Sequence, residues 1–329
     1  MRTVFMGSPE FAVPSLLALQ AQTQVLAVVC QPDKPAGRGL DMTPPAVKVA
    51  AQKLSLPVMQ PLFLRPSKSD FVSTLQALEP DLVVVTAYGK ILPPEVLRIP
   101  KLGCWNVHAS LLPRYRGAAP IQWALIRGET VTGVTLMQMD EGMDTGAMLL
   151  KCELPIGSDD TAGTLHDKLS ELGADILRDG LRRVFAGKPP VPVPQDHSLA
   201  TMAPKLDKEH GRVDFTRGPA AVVAQLRGVD PWPGGFTTVE ARSSKEADVS
   251  EEIPMKLFGS RISSGRGTPG EVLGVDRDGI HVACGAGAVV IAELQLPGRK
   301  RMPAAALVSG FPLPRGTLLG GGRANPLLA

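Results

Sequence analysis

DLVVVTA, from Asp81 to Ala87, is the strongest strand pattern in the chain. It is rich in β-branched residues and shows no polar alternation, which is typical of a strand buried on both faces of a parallel sheet. Similar apolar runs are TVFM (Thr3 to Met6), VLAVVC (Val25 to Cys30) and CWNVH (Cys104 to His108), and a helical segment from about Pro9 to Leu19 follows the first. Strands alternating with helices predict an α/β fold with a doubly wound, mostly parallel, Rossmann-like sheet.

Length and composition limit the class of protein. The chain has 329 residues, of which 44% are hydrophobic and 20% charged, as expected of a soluble globular protein with about two domains of roughly 150 residues. The four cysteines form no CxxC pair, so we expect no zinc site, no disulfide framework and a reducing, cytoplasmic compartment. The N-terminus lacks the apolar core of a signal peptide, and no apolar run reaches the ~18 residues of a transmembrane helix.

The α/β pattern continues beyond the fourth strand. A helix is predicted from Gly117 to about Arg127, and VTGVTLMQM (Val131 to Met139) and AMLLKCELP (Ala147 to Pro155) form a predicted hairpin around DEGMDTG. A long helix with an apolar stripe is predicted from Thr161 to Phe185. We therefore expect residues 1–186 to form one domain.

A proline-rich stretch, GKPPVPVPQD, starts at Gly187 and predicts a stiff linker over residues 187–203. Residues 204–329 contain short β-like pieces with frequent Gly, which predict a small all-β barrel or sandwich. This part is mildly basic, with 16 Lys and Arg against 13 Asp and Glu. The tail after Phe311 is Gly-rich, and we expect it to be disordered.

Three polar residues are candidates for one catalytic site. Asn106 and His108 are two apart at the end of a predicted strand, so both side chains point to one face, where ligands of doubly wound folds bind. An Asn amide can hydrogen-bond a carbonyl oxygen as negative charge develops on it. Asp144, in the turn after the next strand, could orient the His108 ring, although Asp140 is a competitor that spacing does not exclude.

The sequence around this candidate site lacks a nucleophile motif. Ser110 is close to His108, yet no GxSxG pattern surrounds it, and the chain has no Walker A motif. GSPEF, from Gly7 to Phe11, lacks the GxGxxG fingerprint of nicotinamide enzymes. An Asn, a His and an Asp without a nucleophile or metal ligands indicate acyl transfer to an external amine, with stabilisation of a tetrahedral oxyanion.

Two cationic segments are candidates for binding a polyanion. The connection QPDKPAGRGLDMTPP, from Gln31 to Pro45, is longer than the usual βα loop of about 2–6 residues and carries Lys34 and Arg38. Arg299, Lys300 and Arg301 form a second cluster. The alternative interpretation is a variable surface loop and an ordinary solvated charged face.

Several motifs resemble one family along nearly the whole chain. NVHASLLPRYRGAAPIQWAL, QPDKPAGRG, TAYGKILP, TGVTLMQMDEGMDTG and DKLSELG closely resemble the bacterial methionyl-tRNA formyltransferases, which use 10-formyltetrahydrofolate. The similarity continues more weakly through APKLDKEHGRVDF, DPWPGGF and PGRKRM. The chain departs from the family at Ala109, where Gly is common, and over residues 240–264, which match no clear family motif.

The resemblance implies specific roles for residues and domains. It implies that Asn106, His108 and Asp144 are catalytic, and that the segment Ser110, Leu111, Leu112 and Pro113 contacts the folate. It further implies that Arg38 is the main contact of its loop with the tRNA acceptor end. The C-terminal domain is similar to an OB-like barrel that binds the acceptor-stem side of the tRNA.

The predicted function is therefore formyl transfer from 10-formyltetrahydrofolate to the α-amine of methionyl initiator tRNA, by a cytoplasmic monomer without a metal or a membrane partner. Two alternatives remain. One is a folate-dependent formyltransferase acting on a small amine, which the long Gly-Arg-Gly loop and the extra β domain disfavour. The other is a non-catalytic RNA-binding relative, which the complete set of Asn106, His108 and Asp144 disfavours.

Overall fold

The structure is a computed structural model and describes residues 1–36, 41–242 and 250–328. The chain divides into two compact units. The first contains Met1–Pro120, Val131–Ile156 and Leu165–Pro204, and the second contains Ile121–Thr130, Gly157–Thr164 and the chain from Lys205 onward. The proline-rich segment 187–203 thus belongs to the first unit. No helix within the described ranges is long and apolar enough to cross a membrane.

The first unit contains a seven-stranded, mostly parallel sheet. The strands up to the end of this sheet are β1 (Arg2–Gly7), β2 (Gln24–Val29), β3 (Lys34–Ala36), β4 (Asp41–Thr43), β5 (Val58–Met59), β6 (Leu82–Thr86), β7 (Cys104–His108), β8 (Val131–Gln138) and β9 (Met148–Pro155). The sheet order is β5-β2-β1-β6-β7-β8-β9, and β3 and β4 form a separate antiparallel pair. The first five strands of this order, β5, β2, β1, β6 and β7, are parallel to one another. Strand β8 pairs antiparallel with β7 and with β9. The predicted doubly wound sheet is confirmed.

Six helices accompany these strands along the chain. They are α1 (Val13–Gln22), α2 (Ala46–Lys53), α3 (Phe71–Ala77), α4 (Pro94–Leu97), α5 (Pro120–Ile126) and α6 (Ala162–Phe185). All five residues of β6 are buried, as its unbroken β-branched sequence predicts. The apolar stripe of α6 is buried too, because Leu165, Leu169, Leu177 and Leu181 are fully inaccessible to solvent. The fold thereby presents the carboxyl ends of β1, β6 and β7 at one edge of the sheet.

The second unit is built on a curled antiparallel sheet. Its strands are β10 (Phe236–Arg242), β11 (Ser250–Ser263), β12 (Val272–Asp276), β13 (Gly279–Ala283), β14 (Ala288–Gln295) and β15 (Met302–Pro303). The order is β10-β11-β14-β13-β12, with β15 paired to β14. Two helices that the sequence analysis did not predict, α7 (Pro219–Gly228) and α8 (Ala304–Gly310), contribute Val222, Leu226 and Leu307 to its core.

The C-terminal tail is ordered, so the expectation of a disordered tail is wrong. Leu319 is fully buried and bridges to Val239 of β10, while Leu318 bridges to Glu271 at the start of β12. The tail therefore covers both edge strands of the sheet, whose backbone groups would otherwise lack partners. Asn325 fixes the end of the tail, because its side-chain amide donates to the carbonyl oxygens of Glu209 and Arg212 at 2.9 and 2.8 Å.

Candidate active site

Asn106 and His108 lie at the carboxyl end of β7, between the parallel strand β6 and the antiparallel strand β8. His108 is opposite Thr135 and only 6% exposed, whereas Asn106 is opposite Met137 and half-buried. Since the two residues are separated by one position, both side chains emerge on the same face of the sheet. Both residues also lie at the carboxyl end of the strand, and doubly wound folds bind their ligands beyond the carboxyl ends of their strands.

Both nitrogens of the His108 ring face oxygen acceptors. Nε2 lies 3.0 Å from the carbonyl oxygen of Tyr115, and Nδ1 lies 3.7 Å from Oδ1 of Asp144. The first contact is a hydrogen bond in which Nε2–H donates, while the second is an ion-pair distance too long for a hydrogen bond. The His108 ring is therefore held by one hydrogen bond and faces a carboxylate with its other nitrogen.

Asp144 is the carboxylate that the fold brings to His108. Its Oδ2 accepts a hydrogen bond of 2.8 Å from the backbone N–H of Gly117, which turns Oδ1 toward the ring. Its backbone is left-handed, at φ 55°, a conformation that Asp tolerates better than most residues. Asp140 instead accepts from Gly142 N–H and from the Thr145 hydroxyl within its own turn. The structure thus brings Asp144, and not Asp140, to the His108 ring.

The side chain of Asn106 makes no hydrogen bond to any residue in the described part of the chain, although it is half-buried. The position of the amide is fixed by the strand, because the neighbouring residues Trp105 and Val107 are almost completely buried. An unsatisfied amide donor beside an imidazole is the arrangement that binds a developing oxyanion.

The segment from Ser110 to Pro113 divides into buried and half-buried residues. The side chains of Ser110 and Leu112 are buried, while those of Leu111 and Pro113 are half-buried. Thr135 fastens this segment to β8, because its hydroxyl donates to the Ser110 carbonyl at 2.7 Å and accepts from the Leu112 N–H at 3.1 Å. A ligand at this site would therefore contact Leu111 and Pro113 through their side chains.

The cationic candidates of the first unit are only partly within the described residues. Lys34 is exposed on β3. Burial lowers the pKa of Lys90, and the positive charge of Lys34 lowers it further. Lys90 donates hydrogen bonds to the carbonyl oxygens of Pro61 and Leu62 at 2.8 Å each. Arg38, the residue assigned to the tRNA acceptor end, lies outside the described residues.

The cluster of Arg299, Lys300 and Arg301 is exposed on the second unit. Arg301 is engaged within the protein, since it pairs with Glu293 and stacks 4.2 Å from the ring centre of Phe258. The side chains of Arg299 and Lys300 form no ion pair or hydrogen bond with any described residue, and the Arg299 backbone carbonyl accepts from Gln295 Nε2 at 2.8 Å. Two of the three cations are therefore available to an external anion.

The residues that support Asp144 lie far from it along the chain and were not predicted from the sequence. Gln195, in the proline-rich segment, donates from Nε2 to the carbonyl oxygens of Asp144 and Gly146 at 2.8 and 2.7 Å. Arg116 contacts the same Gln195 side chain. The RYRG sequence after β7 was visible, but nothing in the sequence connects it with a glutamine 79 residues later. No metal-binding group of three or more His, Cys, Asp or Glu occurs in residues 1–36, 41–242 and 250–328.

Comparisons with known proteins identify the family of the chain. A family model described as formyl transferase matches residues 1–181, and a model described as formyl transferase, C-terminal domain, matches residues 205–312. A methionyl-tRNA formyltransferase from Geobacter sulfurreducens is 50% identical over 321 residues, which is 97% of each chain. Another from Sorangium cellulosum is 46% identical over 320 residues, covering 97% of this chain and 100% of the relative. The chain belongs to the formyltransferase family, in its methionyl-tRNA formyltransferase branch.

Solved structures of lower identity share the fold. An N-formyltransferase from Helicobacter canadensis, in complex with folinic acid and dTDP-3-aminofucose, aligns with a TM-score of 0.63 at 18% identity, over 88% of this chain and 97% of its own. HypX from Aquifex aeolicus, in complex with tetrahydrofolic acid, aligns with a TM-score of 0.57 at 19% identity, over 94% of this chain and 47% of its own.

Proposed function

We propose that this protein transfers the formyl group of 10-formyltetrahydrofolate to the α-amine of methionyl initiator tRNA. The observation that carries the proposal is the 3.7 Å approach of Asp144 to His108, on the strand where Asn106 holds an amide that bonds to no described residue. The name of the relatives at 46–50% identity supports formyl transfer to methionyl-tRNA. The solved structures that hold tetrahydrofolic acid or folinic acid support a folate donor. This branch acts where charged tRNA is used, so we place the protein in the cytoplasm, where its four free cysteines remain reduced.

The reaction begins when the neutral amine attacks the formyl carbon. An α-amino group has a pKa of about 7.7–8.0, so a useful fraction is neutral near pH 7. The formyl oxygen then becomes an oxyanion, which the amide N–H of Asn106 and an N–H of His108 stabilise. Nδ1 is the nitrogen available for this purpose, because Nε2 donates to Tyr115 and Nδ1 has no hydrogen bond in the described structure.

Asp144 has two tasks in this scheme. Its negative charge beside His108 favours the imidazolium and keeps the ring oriented. The same carboxylate, which is 18% exposed, accepts the proton that the attacking amine loses, directly or through a water molecule. Collapse of the tetrahedral intermediate restores the formyl C=O and breaks the bond between the formyl carbon and N10. N10 takes up the proton that Asp144 accepted from the amine, directly or through water, as tetrahydrofolate leaves.

The folate donor is bound by the segment from Ser110 to Pro113. Leu111 and Pro113 offer half-buried apolar side chains to the ring system, whereas Ser110 and Leu112 stay buried and shape the backbone. The hydroxyl of Thr135 keeps that backbone in place through two hydrogen bonds. Because the folate is a substrate, the protein needs no resident cofactor or metal for this chemistry.

Cations on each unit contact the tRNA. Lys34 and Arg38 bind near the acceptor end, and Arg299, Lys300 and Arg301 bind phosphates further along the stem. Arg299 and Lys300 are the stronger candidates in the second cluster, since Arg301 already pairs with Glu293. One protein monomer binds one tRNA in this proposal, and phosphate contacts make binding weaken steeply as salt rises.

The test is transfer of labelled formyl from 10-formyltetrahydrofolate to purified acceptors. We expect product on methionyl initiator tRNA, and far less on methionyl elongator tRNA, free methionine or small amino sugars. Product only on a small amine would establish the first alternative function. Binding of initiator tRNA on filters without any formyl transfer would establish the non-catalytic alternative.

A further inference from the structure

Arg116 and Gln195 form a buried side-chain pair next to the candidate active site. Nε and Nη2 of Arg116 donate to Oε1 of Gln195 at 3.1 and 2.6 Å. The two residues are 6% and 5% exposed, so this contact is almost completely shielded from water. Gln195 belongs to the proline-rich segment, which sequence analysis treated only as a linker.

The guanidinium of Arg116 has no carboxylate within ion-pair distance among the described residues. Its second side-chain contact is His197, whose Nδ1 lies 3.2 Å from Nη2 and accepts from it when that nitrogen carries no proton. A buried charge without a counter-ion is costly and is uncommon unless its hydrogen bonds serve another purpose. Ordinary ion pairing therefore does not account for Arg116.

The neighbours of Arg116 along the chain hold both catalytic candidates. The carbonyl oxygen of Tyr115 accepts from His108 Nε2, and the N–H of Gly117 donates to Asp144 Oδ2. Gln195 completes the circuit, because its Nε2 donates to the carbonyl oxygen of Asp144 itself at 2.8 Å. A closed ring of hydrogen bonds thus runs from Arg116 through Gln195 and Asp144 back to Gly117.

The proline-rich segment is fastened on both sides of Gln195, to Arg116 of this ring and to Met148 of β9. The backbone N–H of Arg116 donates to the Thr201 carbonyl at 2.9 Å, and its own carbonyl accepts from Ala203 N–H at 2.7 Å. At the other end, Val193 and Met148 exchange two backbone hydrogen bonds of 2.8 Å. Gln195 is therefore held between two fixed points, and its side chain cannot move independently of the loop that carries Asp144.

We propose that Arg116 and Gln195 are positioning residues that keep Asp144 and His108 in mutual register, and that segment 193–203 is the strap that holds them. The proposal rests on the formyl-transfer function proposed above. Neither residue touches substrate in this account. Both act through Asp144 and through the carbonyl of Tyr115, and a displacement of about 1 Å at such a site can cost as much as 100-fold in rate.

The decisive variant is Gln195→Glu, which keeps the size of the side chain and the acceptor for Arg116. It replaces the Nε2 donor with a carboxylate oxygen that faces the carbonyls of Asp144 and Gly146, so the turn is released while the pair with Arg116 remains. We expect single-turnover formyl transfer to fall about 10- to 100-fold, with KM for both substrates within about 3-fold of wild type. The matched control is Val191→Ala, in the same segment with a side chain 76% exposed, which should retain the wild-type rate.

A second readout reports on His108 without turnover. In protein labelled with ¹⁵N-histidine, the His108 signals are assigned by their loss in His108→Gln. We expect wild type to show a protonated Nε2, and Gln195→Glu to shift or broaden the His108 signals while those of His166 and His281 stay in place. Arg116→Lys keeps the charge but not the forked contact, and we expect it to show the same changes. It is the variant to use if Gln195→Glu does not fold.

The outcomes separate this inference from the proposed function. Active wild type together with a folded Gln195→Glu or Arg116→Lys protein that keeps both the wild-type rate and the wild-type His108 signals would overturn the positioning role. Inactive wild type on methionyl initiator tRNA would overturn the proposed function instead. In that case the imidazole signals alone decide whether the Arg116–Gln195 pair orients His108.

Discussion

The carboxylate of Asp144 is oriented by the backbone of Gly117, whose N–H donates to Oδ2 at 2.8 Å. This single contact determines which oxygen remains for His108. Gly117 has a φ of 115°, and a Cβ at this position would lie 2.8 Å from the carbonyl oxygen of Ala203. The position therefore requires glycine both for its backbone conformation and for the close approach of the strap.

Gly117→Ala is expected to damage catalysis and stability together. The added methyl group must displace Ala203 or rotate the Gly117 N–H away from Asp144, and the strained backbone should cost about 1–3 kcal/mol in the free energy of unfolding. Urea titration and single-turnover formyl transfer measure the two effects. Gly187→Ala is the control, because its φ of 69° is also positive but no atom lies within 4 Å of the added Cβ. It should lose stability and keep its rate.

Replacing Asp144 by Asn should separate charge from geometry. The Asn oxygen can still accept from Gly117, so the fold should remain, but the negative charge facing His108 disappears. We expect the single-turnover rate to fall about 10²- to 10⁴-fold, the usual range for losing a proton acceptor. Asp140→Asn is the matched variant, since the Asp140 carboxylate, among the described residues, accepts hydrogen bonds from Gly142 and Thr145 of its own turn. A loss of rate in Asp140→Asn as large as in Asp144→Asn would show that the wrong carboxylate has been assigned.

The available cations of the second unit should be visible in the salt dependence of tRNA binding. Each phosphate contact contributes about one unit to the slope of log K against log salt. Arg299→Ala combined with Lys300→Ala should therefore lower the slope by about two. Arg277→Ala, a change at an exposed arginine 4.0 Å from Asp278, should leave it unchanged. Equal slopes for all three proteins would remove the 299–300 pair from the interface.

Burial makes three of the four thiols unreactive. Desolvation raises the pKa of Cys104 to about 12, and those of Cys30 and Cys284 to about 11. An elevated pKa leaves the thiol protonated at pH 8, and the thiolate is the reactive form. Maleimide labelling of the native protein at pH 8, followed by mass spectrometry of peptides, should modify half-buried Cys152 alone. Rapid modification of Cys104 would mean that β7 opens to solvent.

The sequence predicted the frame of the site and part of its chemistry. Strands such as Leu82–Thr86 are recognisable because burial on both faces demands an unbroken apolar run, and spacing of two puts Asn106 and His108 on one face. The choice of Asp144 over Asp140 was not predictable from spacing, since it depends on which carboxylate the turn directs to Gly117. The folded tail was missed because its glycines suggest disorder, while the hydrogen bonds of Asn325 depend on residues more than 100 positions away.

Gln195 was beyond sequence reasoning for a related reason. Its neighbours are prolines, whose composition predicts a linker, and its partners Arg116 and Asp144 are 79 and 51 residues away. Local sequence patterns predict helices and strands, whose backbone groups hydrogen-bond within regular elements. They do not predict a side chain that donates hydrogen bonds to the backbone carbonyls of a turn distant in sequence.

The most direct test of the central claim is the single-turnover rate of His108→Ala with 10-formyltetrahydrofolate and methionyl initiator tRNA. His281→Ala is the matched control, because His281 also faces a carboxylate, 2.9 Å from Asp276, but belongs to β13 in the antiparallel sheet of the second unit. The account predicts a loss of at least about 100-fold for His108→Ala and a rate near wild type for His281→Ala. A His108→Ala rate within a few-fold of wild type would contradict it.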